Sequence, residues 1–217
     1  MNEEIDFRAV AAQLAKPEGE AGIQTAAHMN SSNADMTRYA VDLLKCDVDD
    51  KVLEIGPGNG RFAEYVLSKG NSIHYTGVDI SETMIATARD INRPYVDKGR
   101  AAFEWTDGVH FPFSDATFNK AFSVNTLYFW QNPAIQLAEI RRILNSDGVF
   151  CLAIASRAFM ELLPFTAYGF TLYAPEEVQD LLSANGFSIR NKTIRNHQTT
   201  SATGQPVMRE EAFFVVG

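Results

Sequence analysis

Val52-Leu53-Glu54-Ile55-Gly56-Pro57-Gly58-Asn59-Gly60 is a short apolar run that breaks into a glycine-rich turn. The run is too short for a helix and is bounded by turn residues, so it reads as a buried strand. A segment of helical period follows to about Lys69, with Phe62, Tyr65 and Val66 on one face, and Gly70-Asn71 ends it. A strand that passes through glycines into a helix is the first half of a βαβ unit.

Outward from this stretch the unit repeats. Ile73 to Val78 is a second strand, and Ser81 can cap a helix whose apolar stripe is Met84, Ile85, Ala88 and Ile91, with Pro94 at its end. Ala101 to Thr106 and Phe118 to Val124 are the third and fourth strands. Asn132-Pro133 supplies an N-cap and an N1 proline for a helix carrying Leu137, Ile140 and Leu144, and Asn145-Ser146-Asp147-Gly148 reads as a turn. Gly148 to Ala155 is apolar on both faces, as a buried parallel strand is. Pro175 opens a helix with Val178, Leu181 and Leu182 inward and Asn185-Gly186 at its end. Phe187 to Ile194 and Met208 to Val216 follow with no helix between them, which predicts an antiparallel pair. The expected fold is α/β: a doubly wound, mostly parallel seven-stranded sheet with an antiparallel edge pair.

Composition bounds the rest. A chain of 217 residues, 46% hydrophobic, builds one core without disulfides or a structural metal. A net charge of −8 repels phosphate backbones, so nucleic acid is not an expected partner. Cys46 and Cys151 form no C-x-x-C pair and fit reduced thiols in a cytoplasmic protein. Met1 to Val10 holds three carboxylates and no apolar h-region, and no stretch approaches the roughly 18 apolar residues of a membrane span. A single domain over 1–217 is expected: a helical cap or lid at 1–45, a cofactor-binding core at 46–155, a substrate-cover insertion at 156–173, and a last helix with the strand pair at 174–217. Within these, Lys16 to Arg38 is polar, lacks a strong apolar stripe and reads as a mobile cover, while Arg157 to Tyr173 is rich in aromatics.

The glycine turn lies where open α/β sheets bind ligands, at the carboxyl end of the first parallel strand. Gly56, Gly58 and Gly60 let a ligand touch backbone. Dinucleotide sites use G-x-G-x-x-G to seat a pyrophosphate, and here the third glycine comes one residue early. Glu54 adds negative charge where a pyrophosphate would be repelled, yet suits a ligand with an amino group. Asp79, 23 residues after Gly56, can accept hydrogen bonds from both ribose hydroxyls; its bland alternative is a helix cap beside Ser81. Asp107-Gly108 can place a carboxylate on an adenine amino group or simply form an Asp-Gly turn.

Taken in order, Val52 to Phe62, Gly77-Val78-Asp79-Ile80-Ser81, and Asp107-Gly108 with Phe111-Pro112-Phe113 resemble the class I S-adenosylmethionine-dependent methyltransferases, over roughly Lys51 to Phe150. The likeness implies a Rossmann-like methyltransferase fold with S-adenosylmethionine as cofactor and S-adenosylhomocysteine as product. It implies that Gly56, Pro57, Gly58 and Gly60 hold the methionine end, Asp79 the ribose and Asp107 the adenine. Ile80, Met84 and Gly108 would line the same cofactor, and Asn125 would lie near it through its backbone. Within the class the chain is most similar to the small-molecule methyltransferases. Asn125-Thr126-Leu127-Tyr128 lacks the paired prolines of DNA amino-methyltransferases, and two cysteines do not make the arsenite methyltransferase set.

Tyr128-Phe129-Trp130 sits where substrate meets the methyl group in related enzymes, and Phe159, Phe165, Tyr168 and Phe170 could complete an apolar acceptor chamber. Tyr128 and Trp130, two apart in an extended loop, would point the same way. His28 is the one base candidate; His28, His74, His110 and His197 show no metal-ligand spacing, so no metal is expected. Two other functions fit the same motifs: a nicotinamide-dependent oxidoreductase, and a non-catalytic binder of S-adenosylmethionine or S-adenosylhomocysteine. The methyl acceptor, the methylated atom and the oligomeric state are not written in the sequence.

Overall fold

Val52, Leu53 and Ile55 are buried in β1 (Lys51–Ile55) at the centre of a seven-stranded sheet. The structure, a computed structural model, describes residues 5–200 and 206–217; the first four residues of the acidic amino-terminal stretch lie outside them. Strand order is β3-β2-β1-β4-β5-β7-β6, with β2 (His74–Asp79), β3 (Ala101–Trp105), β4 (Phe118–Val124), β5 (Leu144–Ala155), β6 (Ile189–Thr200) and β7 (Pro206–Val216). β1 to β5 are parallel, and β7 runs antiparallel between β5 and β6. The chain winds one way from β1 through β2 to β3 and the other way from β4 to β5, so the topological switch lies between β1 and β4.

Helices cover both faces. One core layer joins α2 (Gly19–Leu44), α3 (Ala63–Leu67) and α4 (Glu82–Ile91) to the sheet through Met36, Val41, Val66 and Ile85. The other layer joins α6 (Pro133–Ile143) and α8 (Pro175–Ala184) through Leu137, Ile140, Val178 and Leu182. α1 (Phe7–Ala15), α5 (Arg93–Val96) and α7 (Arg157–Met160) are shorter. Local chemistry sets several boundaries. Ser81 accepts the Met84 amide and Asn132 the Ile135 amide, caps of the kind worth about 1 kcal/mol each.

Three expectations change. The helix after the glycine turn is only Ala63–Leu67. Ile91 ends α4 exposed rather than completing its stripe. Asn145 to Gly148 is no turn between elements but lies inside β5 as an irregularity, where pairing jumps from Phe118↔Leu144 to Lys120↔Val149. Lys16 to Arg38, within the expected helical cap, is mostly the first part of a 26-residue helix. Its buried positions are sparse at first and then cluster at Met36, Thr37, Ala40, Val41 and Leu44. Polar tethers described below hold the sparse half, which apolar periodicity could not reveal.

Candidate functional site

Two loops meet at the switch point. After β1 the backbone turns through Gly56 at φ +76° and Gly60 at φ +69°. A Cβ on Gly56 would stand 2.5 Å from Thr126 Cγ2, and one on Gly60 would stand 2.7 Å from the Phe103 ring. Both positions therefore need glycine for conformation and for space. After β4, Asn125 takes φ +57°, and its N–H donates to the Ala153 carbonyl at 2.9 Å. Ser123 Oγ donates to the Ile55 carbonyl at 2.9 Å, tying the ends of β1 and β4 together.

The loops enclose two buried carboxylates. Glu54 accepts the Tyr75 hydroxyl at 2.6 Å. Asp79 accepts the Gly58 amide at 3.0 Å and the Ser81 amide at 2.9 Å. Desolvation pushes Glu54 up to about 7 and Asp79 up to about 6; the Tyr75 hydroxyl and the backbone amides only partly oppose this. None of the described ion pairs involves either residue. Asp79 thus orders the start of α4 and also fixes the glycine loop.

Asp107 is bonded within its own loop. One of its oxygens accepts the Val109 and His110 amides at 2.8 and 2.7 Å, and the other faces His110 Nδ1 at 3.1 Å. These bonds lower its carboxyl to about 2 and spend it on its own loop. Gly108 follows at φ +84°, with Ile80 Cγ2 3.2 Å from where its Cβ would be, so Ile80 and Gly108 do come together. Met84 is fully buried in α4, and Pro57 packs over Gly77.

The aromatic segment is less open than its spacing predicted. Leu127–Phe129 is a 3-10 turn, not an extended loop, so Tyr128 and Trp130 do not align as expected. Both are buried. Tyr128 Oη donates to the Ala155 carbonyl at 2.7 Å and to Asn125 Oδ1 at 3.0 Å, and Trp130 Nε1 donates to Thr126 Oγ1 at 3.1 Å. Phe170 packs against Phe129 and Phe165, at 4.6 and 5.8 Å between ring centroids, while Phe159 joins the core. Tyr168 is exposed.

α2 supplies the residues that the motifs missed. Asn30 Nδ2 donates to Asn59 Oδ1 at 3.0 Å, and Asn125 Nδ2 donates to Asn33 Oδ1 at 3.1 Å. Asn30 and Asn33, three apart, share one helix face and latch the helix onto both loops. Only their i, i+3 spacing could have flagged them. His28, two residues before Asn30, is exposed and lies on a different face of the helix.

Residues 53–152 match the family model described as Methyltransferase domain. That match covers 100 of the 217 residues, a little under half of the chain. The methyltransferase YrhH of Bacillus subtilis (strain 168) is 30% identical over 52% of this chain and 62% of its own length. The 27-O-demethylrifamycin SV methyltransferase of Amycolatopsis mediterranei is 25% identical over 58% of this chain and 46% of its own length. The chain thus spans less than two-thirds of the length of these curated relatives. In fold it is similar to a chain of the complex between the Haloferax volcanii Trm112 methyltransferase activator and a methyltransferase. There the TM-score is 0.74 at 19% identity, covering 98% of each chain. No helix among the described residues is long and apolar enough to cross a membrane.

Proposed function

We propose that this methyltransferase domain moves the methyl group of S-adenosylmethionine to a small-molecule acceptor. The observation that carries the reading is the pair of buried carboxylates, Glu54 and Asp79, held without a cation beside the glycine loop. A buried carboxylate with no positive partner is costly, and a ligand bearing an ammonium and ribose hydroxyls repays that cost. When bound, the cofactor supplies a methyl group on a sulfonium; the acceptor's lone pair forms the new bond to carbon as the S–CH3 electrons return to sulfur.

The chain's own part is binding and alignment. Glu54 would hold the amino group and Asp79 the ribose, and Gly58, with nothing within 4 Å of a Cβ position, would leave backbone room for the methionine end. Ile80 and Gly108 would flank the adenine, beside the exposed Asp107. α2 excludes water from above. No base is assigned. His28 is exposed, and burial raises the Tyr128 phenol far from neutrality while its proton is held by Ala155 and Asn125. Acceptors that are already nucleophilic therefore suit the site best.

Calorimetry with S-adenosylhomocysteine and NAD tests the cofactor, and transfer of labelled methyl from S-adenosylmethionine into a metabolite extract tests turnover. Tighter binding of S-adenosylhomocysteine than NAD, with label incorporated, is expected. Comparable NAD binding would favour the oxidoreductase, and binding without turnover would leave a non-catalytic binder.

A further inference from the structure

α1 is fastened beside β2 at its carboxyl end. There the Pro17 carbonyl accepts the Ser81 hydroxyl, and the Gly19 amide donates to Thr83 Oγ1 at 3.3 Å. At its amino end the Arg8 guanidinium stands 5.3 Å over the ring of Tyr168, in the insertion that follows β5. β2 and β5 are three places apart in the sheet order, about 14 Å at ~4.8 Å per strand. Nine helical residues reach about 13.5 Å at ~1.5 Å each. α1 therefore spans from the loop after β2 to the insertion after β5.

Between α1 and the insertion lies an open cavity of about 440 Å³, lined by Arg8, Ala11, Ala12 and Ala15 on one side and by Tyr168 and Gly169 on the other. That volume is within the usual range for small-molecule sites, roughly 300–1,000 Å³. Its walls are methyl groups and an aromatic ring, and Arg8 is the one charged side chain lining it. Arg142, Arg157 and Arg195 each hold a carboxylate, whereas the described ion pairs do not include Arg8. A guanidinium above an aromatic face keeps its N–H edge free for bidentate contact with a carboxylate.

We infer that this cavity seats the methyl acceptor and that the acceptor is a small apolar carboxylate, its body against Ala11, Ala12 and Tyr168 and its anion on Arg8. The inference rests on the methyltransferase reading for its link to catalysis, but its test is binding. In a chain of net charge −8 the overall field repels anions, so the preference must come from Arg8 alone.

The probe pair is 2-naphthoate and its uncharged analogue 2-naphthamide, titrated calorimetrically into the full chain with and without S-adenosylhomocysteine. Naphthoate is expected to bind at least tenfold more tightly. Arg8→Gln should bring the two within twofold of each other, and Ala12→Trp, at an exposed position, should weaken both at least tenfold. Both variants should keep the wild-type melting temperature and S-adenosylhomocysteine affinity. Equal binding of the two probes by the wild type, or a preference that survives Arg8→Gln, overturns the carboxylate seat. A preference for naphthoate in a chain that does not bind S-adenosylhomocysteine keeps the seat and overturns the methyltransferase reading.

Discussion

Glu54 and Glu211 are both buried glutamates near the carboxyl edge of the same sheet, and they are solved in opposite ways. Glu54 has a tyrosine hydroxyl and no cation. Glu211, on β7, holds Arg195 Nε and Arg209 Nε at 2.7 Å each. Those arginines continue outward: Arg195 to Asp35 and Arg209 Nη1 to the Ser32 carbonyl, both on α2. The β6–β7 end is thus electrostatically closed and serves to anchor the covering helix. The β1–β2 end is electrostatically open, which is what a site for a cationic ligand requires.

The strongest way to break this contrast is Glu211→Ala. Removing the shared carboxylate strands two guanidinium groups, one of them on the buried Arg209, and breaking buried pairs in this way costs about 3–5 kcal/mol. Urea unfolding should show a lower midpoint with an unchanged slope. A loss below about 1 kcal/mol would mean that solvent already screens the network, and the contrast with Glu54 would weaken.

That network shows where sequence reading stops. The strands, the caps at Ser81 and Asn132, and the antiparallel edge pair were legible because each depends on neighbours within a few residues. The glycine loop and Asp79 were legible as well, since strand, turn and helix follow one another along the chain. Glu211 and Asp35 were not, because charges far apart in sequence carry no sign of pairing. The setting of Tyr128 was hidden for a related reason: its hydroxyl reaches Ala155, 27 residues on, a bond that no local pattern announces. The tethers of the polar half of α2 were not legible because its supports, Asn59 and Asn125, belong to other elements.

Glu54→Gln should sharpen the contrast by moving in the opposite direction to Glu211→Ala. The Glu54 carboxyl is raised to about 7 in the folded chain, above its unfolded value near 4.3. The folded state therefore binds more protons between these values, and the wild type loses stability as pH rises from about 4.3 to about 7. The variant has no such loss. At pH 8 it should be more stable by an amount on the order of 2 kcal/mol, with the gain gone below about pH 4.3. Its affinity for S-adenosylhomocysteine should fall roughly tenfold at pH 8, the lower end for loss of a charged hydrogen bond. Thermal melts across pH check the first effect and calorimetry the second. A variant less stable than wild type at pH 8 would mean that Glu54 is satisfied as it stands and awaits no cation.

The smallest expected effect belongs to the seam between the two regions. Asn33 accepts from Asn125 Nδ2, and Asn125 Oδ1 in turn accepts the Ala155 amide and the Tyr128 hydroxyl, each at 3.0 Å. Asn125 holds φ +57°, a conformation that asparagine tolerates better than most residues but that surrounding bonds must still hold. Asn33→Ala leaves the Asn125 side-chain amide donating to Met36 Sδ alone, at 3.4 Å. The expected cost is that of one ordinary hydrogen bond, about 0.5–1.5 kcal/mol, small beside the Glu211 network that also anchors α2. Hydrogen exchange separates the two tethers. Asn33→Ala should speed exchange in the Asn30-to-Met36 part of α2 and at Asn125, while the β6–β7 pair stays protected. Asn33→Asp, which keeps the accepting oxygen, should restore protection. If Asn33→Ala leaves exchange unchanged, α2 is held by its arginine contacts alone and the asparagine latch has no role in closing the site.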